Sequence, residues 1–441
     1  MNILTLNTEA FGGGANQIAL SLFQHYKSSG HTSKFINALH QSTDLEIECA
    51  PNDASRNLLF RFLRLAMEHS LRNNIRFMPK LLGWLLAFSE PVRYAHRLFG
   101  HDDFFQPSTK HIPFGRDSNL QVIHAHNLFG GYFDLRQLPR ISRQVPFIWT
   151  LHDMWAFTGH CSHPLDCRKW LAACGGCPYL SLPPAIESDG TTFNLKQKKR
   201  IYQSSTIHIA TPSRWLLDHV EKSVLQPGIG SCRVIPNGVD QEAFCQGDKD
   251  SARQELGIPV DASVLLFVAA GNRDNPWKDY QTLEATAKIL AAHLAPSKLI
   301  LMVPGLSEQF ADAENLLIHN IPWIKEKTKL AKYYQAADLY LHAAHAENFP
   351  NVIIEALSCG LPVIGTRTGG IPEQIVEGKN GFVVSQGDAE AMASHALGLL
   401  TDRELLTRFS NDAASKAKGV YSLERMGNEY LGWFEELLEA S

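Results

Sequence analysis

Short apolar runs alternate with stretches of helical periodicity along most of the chain. The apolar runs are residues 3–6, 122–125 and 147–151 in the first half, and 264–268, 299–303, 339–341 and 362–365 in the second. Stretches with helical spacing, such as residues 18–26, lie between them. Because this alternation is typical of parallel sheets wrapped by helices, the pattern predicts an α/β protein with two separate sheets.

A turn-rich segment separates the two halves. Residues 233–240 contain Pro and Asn-Gly, which are strong turn formers, and a polar stretch follows at 246–255. We therefore expect an N-terminal domain over residues 1–238 and a C-terminal domain over 239–422. The last segment, 423–441, has apolar residues at helical spacing, which predicts an amphipathic helix on a domain surface. We expect this helix to cross back to the first domain.

Length and charge narrow the functional classes. The chain has 441 residues, a hydrophobic content of 44% and a formal net charge of -4, so it can form proper cores but has no global basic field for nucleic acid. Residues 1–7 lack the features of a secretory signal, and the apolar runs fall short of the roughly 20 residues that span a bilayer. The sequence therefore predicts an intracellular protein that can touch a membrane without crossing it.

The most informative stretch of the second half places two carboxylates around a loop and a helix start. Glu347 precedes Phe349-Pro350, and Glu355 is expected about two turns inside the helix that follows. Backbone amides near Asn351 and Val352 would be unpaired at the helix N-terminus and would suit an anionic or hydroxyl-rich ligand.

The two carboxylates can each accept hydrogen bonds from a vicinal diol, such as that of a sugar ring or a ribose. A solvated helix face is the alternative interpretation of such a pair. The apolar neighbours Ile354 and Leu357 disfavour that alternative for Glu355.

A second cluster of charge, Arg273 and Lys278, follows the first strand of the second half. Cations at the carboxyl end of a strand lie where open α/β sheets bind ligands. They could neutralise a leaving diphosphate in place of a divalent metal, although such a pair alone is more often plain surface charge.

These motifs resemble glycosyltransferase family 4, whose members share an Arg-x4-Lys after that strand and a Glu-x7-Glu beside the sugar. The resemblance extends to residues 234–240 and to the Gly-Gly-Ile-Pro-Glu at 369–373. It departs at residues 271–273, where the family more usually has Gly directly before Arg. It implies a GT-B fold, in which two Rossmann-like, doubly wound parallel-sheet domains face a deep interdomain cleft.

The resemblance also implies roles for individual residues. Glu355 would bind the ribose and Glu347 the hydroxyls of the donor sugar. The backbone of Asn351 and Val352 would bind the sugar or phosphates. Arg273 and Lys278 would bind the diphosphate, so that catalysis needs no metal cofactor.

In the first half, Gly13 and Gly14 follow the first strand and lead into a helix, where glycines permit close backbone approach. The resemblance implies that this turn faces the donor diphosphate and the acceptor. The alternative interpretation is that the glycines serve only to form the turn. A dinucleotide-binding fingerprint is disfavoured because the spacing is not G-x-G-x-x-G and no acidic residue follows the next strand.

Histidines end two strands of the first half, at 124–126 and at His152. His152, followed by Asp153, is similar to the family's strand-end histidine near the reacting sugar. We assign His152 to positioning or hydrogen bonding and retain Asp153 as a candidate base. An isolated structural histidine is the alternative.

Four thiols crowd into seventeen positions within an insert at 160–178, ending in a Cys-x2-Cys that can clasp a tetrahedral ion. Zinc is the natural candidate, while free thiols or disulfides remain open, and His160 and His163 offer alternative ligands. The four cysteines are Cys161, Cys167, Cys174 and Cys177. A similar insert occurs in family 4 enzymes that build bacterial surface polysaccharides, where it could shape the acceptor pocket.

Residues 56–97 mix apolar and basic side chains. Such a segment could lie on an anionic bilayer, or it could be a helical insertion whose apolar side covers the N-terminal sheet.

Together the motifs predict a retaining glycosyltransferase, of the hexosyltransferase type, that uses a nucleotide-diphosphate sugar. The expected acceptor is a glycan or a polyprenyl-diphosphate-linked glycan in polysaccharide biosynthesis, and the expected location is the cytoplasm, peripheral to the inner face of the cell membrane. A nucleotide-sugar epimerase of the same fold and a non-catalytic sugar-nucleotide-binding protein are the alternatives.

Overall fold

A computed structural model describes residues 1–38, 46–73, 78–112, 119–268, 275–306 and 314–440. The chain forms two compact units. The first comprises Met1–Thr211, Leu217–Arg233 and Leu431–Ser441, and the second comprises Pro212–Leu216 and Val234–Tyr430.

The first unit is built on a seven-stranded sheet with the order β3-β2-β1-β4-β5-β6-β7. Its strands are β1 (Asn2–Leu6), β2 (Thr32–Asn37), β3 (Ile47–Cys49), β4 (Val122–Ala125), β5 (Phe147–Thr150), β6 (Ile207–Thr211) and β7 (Ile229–Val234). The pairings from β3 through to β6 are parallel. β4 and β5 are buried along their whole length, which explains why they read as continuous apolar runs rather than as alternating patterns.

In the described residues of this first half of the chain, seven α-helices are present. They are α1 (Gly14–Ser28), α2 (Leu58–Arg72), α3 (Met78–Ser89), α4 (Pro91–Leu98), α5 (Leu138–Ile141), α6 (Thr191–Tyr202) and α7 (Arg214–Val220). α1 packs its apolar face on the sheet, where Phe23 meets Phe35 of β2 edge to face at 5.6 Å between ring centroids.

The second unit contains a six-stranded sheet with the order β10-β9-β8-β11-β12-β13. Its strands are β8 (Ser263–Leu266), β9 (Leu299–Pro304), β10 (Leu316–Ile321), β11 (Leu339–His342), β12 (Val363–Thr366) and β13 (Gly381–Val384). All five neighbouring pairs are parallel. Apolar clusters cover both faces of this sheet, as a parallel sheet requires.

The remaining helices follow in the second half of the chain. They are α8 (Lys249–Leu256), α9 (Tyr280–Leu294), α10 (Lys327–Ala336), α11 (Asn351–Ser358), α12 (Ile371–Gln374), α13 (Ala389–Thr401), α14 (Arg403–Val420) and α15 (Leu423–Glu439). The end of α15 belongs to the first unit, where Phe434 packs against Tyr26 of α1. Among the described residues, no helix has both the length and the apolarity of a membrane span.

The prediction of two parallel-sheet α/β domains is therefore confirmed. In both sheets the strand order reverses beside the first strand, between β1 and β4 and between β8 and β11. Open α/β sheets bind ligands beyond the carboxyl ends of the strands at such a reversal. These two places are where the candidate sites are found.

Candidate functional site

The segment that carries Lys278 lies directly against the segment that carries Glu347. Lys278 forms an isolated antiparallel bridge with Ala344, and the His345 N–H donates to the Trp277 carbonyl at 2.9 Å. The first segment follows β8 and the second follows β11, so both extend from the reversal point of the second sheet. Backbone pairing thus brings together two residues that lie 69 positions apart in the sequence.

The side chains of the two residues form a close ion pair. The Lys278 Nζ lies 2.5 Å from Glu347 Oε1, with the side chains only 10% and 17% exposed. A charge-assisted hydrogen bond of this length is stronger than a neutral one and fixes the orientation of the carboxylate.

His342, at the end of β11, is a third member of this cluster. Its Nε2 lies 3.3 Å from Glu347 Oε1, and its Nδ1 lies 3.3 Å from the Tyr340 hydroxyl. Burial and the charge of Lys278 together lower the pKa of His342 to about 4, against the opposing effect of Glu347. A neutral imidazole with its proton on Nε2 donates to Glu347 and accepts at Nδ1 from Tyr340. His342 was not predicted from the sequence, although a polar residue ending a buried strand five positions before Glu347 was a usable signal.

The pKa of Glu347 follows from these contacts. Burial alone would raise it, but the charge of Lys278 and the hydrogen bonds from His342 and Lys278 lower it to about 2. The carboxylate is therefore ionised throughout the neutral range and acts as a hydrogen-bond acceptor.

Glu355 lies in α11 in a different environment. It is 7% exposed, and the Tyr334 hydroxyl donates to its Oε2 at 2.8 Å. Burial raises the pKa of Glu355 to about 7, against the opposing effects of Tyr334 and Lys327. Glu355 follows the first helical residue by four positions, which is about one turn rather than the expected two. Nothing in the sequence pattern indicated Tyr334, which reaches Glu355 from α10.

The start of α11 is held by a loop residue, Asn237, and by the last residue of α12, Gln374. The Asn237 side chain donates to Asn351 Oδ1 at 2.9 Å, and the Gln374 side chain donates to the Pro350 carbonyl at 3.0 Å. Pro350 is the N-cap residue of α11 and makes no side-chain hydrogen bond to the first turn of the helix, where Asn351 and Val352 lie.

Gly369 explains why the Gly-Gly-Ile-Pro-Glu motif belongs to this site. Its φ is +55°, and a Cβ there would collide with the Glu347 carbonyl oxygen. The next N–H, of Gly370, donates to the Asn348 carbonyl at 2.8 Å. Only glycine lets this loop lie against the backbone that presents Glu347. Arg273 lies outside the described residues.

In the first unit, Gly13 and Gly14 lie at the start of α1. This helix is the first after β1, which is one of the two strands between which the order of the sheet reverses. Gly13 is the N-cap and makes no side-chain capping bond, and a Cβ built on it would meet open space. Packing within the protein does not require glycine at position 13, whereas Gly12 has a φ of +105°.

His152 lies just beyond β5 and contacts the histidine that ends the neighbouring strand. The His152 Nε2 and His126 Nδ1 are 2.9 Å apart, so one nitrogen carries a proton and the other accepts it. Burial lowers the pKa of His152 to about 4, which keeps the pair neutral. The other nitrogen of His126, Nε2, is buried and has no hydrogen-bond partner among the described residues.

Asp153 shares this strand end. Its Oδ1 accepts a hydrogen bond from the Trp155 N–H at 2.8 Å. Burial raises the pKa of Asp153 to about 6, with Trp155 and Lys198 acting in the opposite direction. A carboxyl that titrates near neutrality is suited to proton transfer.

The four thiols of the insert are free. Cys161 is buried, and Cys167, Cys174 and Cys177 are partly buried. In the described part of the chain, no three His, Cys, Asp or Glu side chains are arranged to hold a metal ion. Thiolate sulfur is a ligand that suits zinc, and the zinc site stays a prediction.

The turn between the last two cysteines has an unusual backbone. Cys174, Gly175 and Gly176 all have positive φ values, of 53°, 92° and 54°. Beyond the turn, the Tyr179 N–H donates to the Cys177 sulfur at 3.4 Å, and the His160 Nε2 lies 3.5 Å from that sulfur.

Two family models match the chain, and together they cover most of it. The model described as Glycosyltransferase Family 4 matches residues 12–243. The model described as Glycosyl transferases group 1 matches residues 248–416.

Known proteins are similar to the chain over its full length. A putative colanic acid biosynthesis glycosyl transferase, WcaC of Escherichia coli (strain K12), is 24% identical over 99% of this chain and 100% of its own. Sucrose-phosphate synthase from Thermosynechococcus elongatus has a TM-score of 0.62 at 16% identity, covering 100% of both chains. Anabaena Alr3699/HepE, solved with UDP and glucose, has a TM-score of 0.59 at 14% identity, covering 98% of this chain and 99% of its own. These structural likenesses show that the fold is GT-B.

Proposed function

The chain belongs to glycosyltransferase family 4, and we propose that it transfers a sugar, with retention of configuration, from a nucleotide-diphosphate sugar to a glycan acceptor. The observation that carries this proposal is the Lys278–Glu347 ion pair at the reversal point of the second sheet. Hexosyl transfer without a catalytic metal is the specific form proposed.

The proposed reaction needs charge stabilisation more than an enzyme nucleophile. The bond between the sugar C1 and the diphosphate oxygen breaks, and an acceptor hydroxyl oxygen forms the new bond on the same face. The proton of that hydroxyl passes to the leaving diphosphate, which departs as a nucleoside diphosphate. Lys278 stabilises the developing negative charge, and Arg273 has the same role on the strength of the sequence motif.

The carboxylates are assigned to binding. Glu347, held ionised by Lys278 and oriented by His342, accepts hydrogen bonds from hydroxyls of the donor sugar. Glu355 accepts hydrogen bonds from the ribose, and the backbone of Asn351 and Val352 contacts the sugar or phosphates.

In the first unit, Gly13 and Gly14 present the N-terminus of α1 to a phosphate. His152 positions a hydroxyl of the substrate, and its contact with His126 fixes the orientation of its ring. Asp153 is the alternative acceptor of the hydroxyl proton, in place of the leaving diphosphate.

Two of the similar proteins support the choice of substrates. Alr3699/HepE was solved with UDP and with UDP-glucose, which supports a nucleotide-sugar donor. WcaC is described as a colanic acid biosynthesis enzyme, which supports an acceptor in polysaccharide biosynthesis. We propose a polyprenyl-diphosphate-linked acceptor and a cytoplasmic location at the inner face of the cell membrane. The cysteine insert is proposed to hold a structural zinc ion beside the acceptor site.

A panel of nucleotide sugars, incubated with the protein and with acceptor-containing membranes, tests the reaction class. A transferase releases nucleoside diphosphate and labels the membrane fraction, an epimerase yields an isomerised donor, and a binding protein yields neither. Absence of turnover with every donor would contradict the proposal.

Substitutions of Lys278 and Glu347 test the donor site, and another ion pair in the same unit serves as the control. Lys278→Ala and Glu347→Ala should each lower kcat by about 10²–10³-fold, because each removes charge stabilisation or positioning at the reacting sugar. Lys288→Ala and Glu284→Ala remove an exposed ion pair of α9 in the same unit and should leave turnover near normal. Near-normal rates for Lys278→Ala would overturn the site assignment but not the fold.

A further inference from the structure

The helices α2, α3 and α4 expose an unusual amount of apolar surface. Of the 20 large hydrophobic side chains that are exposed among the described residues, 13 lie between positions 58 and 99. We call these the α2–α4 surface: Leu58, Leu59, Phe62, Leu65, Leu71, Met78, Leu81, Trp84, Leu85, Phe88, Val92, Leu98 and Phe99. Large exposed apolar patches mark sites where proteins contact a partner or a membrane.

On α2 the exposed residues follow the helical period on the side opposite to the buried ones. Leu58, Phe62 and Leu65 are 79%, 69% and 66% exposed, whereas Phe60 and Leu63 are 8% and 7% exposed. The helix therefore has one apolar face that is packed and another that is open. A helical segment that only covered the N-terminal sheet with its apolar side would leave the open face unexplained.

The neighbouring helix α3 repeats this arrangement. Leu81, Trp84 and Phe88 are 55%, 60% and 71% exposed at spacings of three and four, while Leu82 is 7% exposed. α2 and α3 pack together, with the end of Met67 close to Gly83. The exposed tryptophan and phenylalanines thus lie on two helices that pack against each other.

The charge of the segment is opposite to that of the chain. Between positions 58 and 99 the sequence has seven Lys or Arg against two Asp or Glu, a net of +5, whereas the whole chain has a formal net charge of -4. Several basic side chains are exposed and have no acidic partner in the part of the chain that the structure describes: Arg61, Arg72, Lys80 and Arg97.

We propose that the α2–α4 surface docks in the plane of an anionic lipid bilayer, with Phe62, Trp84 and Phe88 entering the interface and the basic side chains contacting lipid phosphates. Aromatic and leucine side chains beside Lys and Arg are the composition of interfacial helices. α3 has 12 residues, about 18 Å of helix, which suits lying in the interface rather than crossing the roughly 30 Å hydrocarbon core.

The charge of the α2–α4 surface also favours a bilayer over a second copy of the chain as its binding partner. A symmetric dimer through this surface would place a net +5 segment against an identical one, and like charges across an interface are unfavourable. An anionic bilayer instead matches both the apolar and the basic side chains. The inference rests on the proposed function only in that a lipid-linked acceptor gives the docking a purpose.

Flotation of the purified full-length protein with vesicles tests the docking directly. The vesicles are phosphatidylcholine alone or phosphatidylcholine with phosphatidylglycerol, and they contain no prenyl lipid. The protein should float with the anionic vesicles, and Phe62→Ser/Trp84→Ser/Phe88→Ser should reduce the vesicle partition coefficient by at least about tenfold. Trp323→Ser, which removes a 52% exposed tryptophan of the second unit, is the matched control and should float like the parent protein.

Charge reversal provides the second arm of the test. Arg61→Glu/Arg72→Glu/Lys80→Glu should weaken flotation and reduce its sensitivity to salt, because fewer basic side chains contact the lipid phosphates. Circular dichroism should show an unchanged fold in each variant. The proposal is overturned if no vesicle binds, if the apolar variant floats normally, or if the parent protein is an oligomer that the apolar substitutions dissociate. Release of nucleoside diphosphate from the donor, measured without membranes, reports on the transferase function separately.

Discussion

Glu347 and Glu355 are chemically identical residues eight positions apart, yet their surroundings move their pKa values in opposite directions. Glu347 has Lys278 at 2.5 Å, and its pKa lies at about 2. Glu355 is buried beside the neutral Tyr334 hydroxyl, and its pKa lies at about 7. Two carboxylates that differ in this way can serve different functions in one site at neutral pH.

The raised pKa of Glu355 predicts a pH dependence of donor affinity. An ionised carboxylate accepts both hydroxyl protons of a ribose, whereas a protonated one offers fewer acceptor sites. The donor KM should therefore fall as the pH rises through about 7. Glu355→Gln should raise the donor KM by roughly tenfold at pH 8, because hydrogen bonds to charged groups contribute about 1.5–3 kcal/mol, and it should remove this pH dependence. Glu284→Gln is the control and should keep the parent pH profile.

The same ionisation affects stability with the opposite sign. A carboxyl whose folded-state pKa is raised stabilises the fold in its protonated form. This contribution is complete below the ordinary value of 4.5 and is lost as the pH rises through about 7. If the donor KM and the free energy of unfolding both stay constant between pH 6 and 8, the assignment of Glu355 is wrong.

Residue types and spacing predicted Lys278, Glu347 and Glu355 as site residues, but not the residues that contact them. His342 ends β11, and Tyr334 reaches Glu355 from a separate helix. The contact from Tyr334 depends on the tertiary packing of α10, which no local pattern encodes.

At the scale of elements, the alternation of apolar runs and helical periods predicted both sheets, because buried parallel strands have continuous apolar sequences. Strand order was not readable from that pattern. The reversal between β8 and β11 depends on pairings between Leu339 and Leu265 and between Tyr340 and Leu266, which join residues far apart in the chain.

For the cysteine insert, the spacing of the cysteines and the structure differ on whether a zinc site is present. Spacing predicts a tetrahedral zinc site, whereas no three ligand side chains are arranged together in the described insert. Between the last two cysteines the insert has a run of three residues with positive φ, at 174–176.

Metal analysis of the purified protein tests the zinc site. We expect about one zinc ion per chain, and Cys174→Ser/Cys177→Ser should lose the ion and lower the Tm, because metal binding contributes directly to folding. Cys245→Ser removes an exposed thiol outside the insert and should keep both. A metal-free protein that is folded and active would rule out an essential zinc ion.

At the scale of the whole molecule, the end of the chain completes the first unit. Phe434 is fully buried, with its ring centroid 5.6 Å from that of Tyr26 and 5.4 Å from that of His124. The preceding Trp433 packs edge to face with His208 of β6 at 6.2 Å. α15 therefore covers the helix α1 and the strands β4 and β6, which carry or adjoin the candidate residues of this unit.

This packing predicts that a substitution near the C-terminus loosens the first unit selectively. Phe434→Ala should cost about 3–5 kcal/mol, the range for removing a buried phenylalanine. Because two units need not unfold together, hydrogen exchange measured by mass spectrometry is more informative than a single melting curve. Amides of α1 and β4 should exchange faster, while those of β8 and β9 keep their protection. Phe99→Ala, at a side chain that is 65% exposed, is the control and should alter neither set. Equal loss of protection in both sets would mean that the end of α15 stabilises the chain as a whole rather than the first unit.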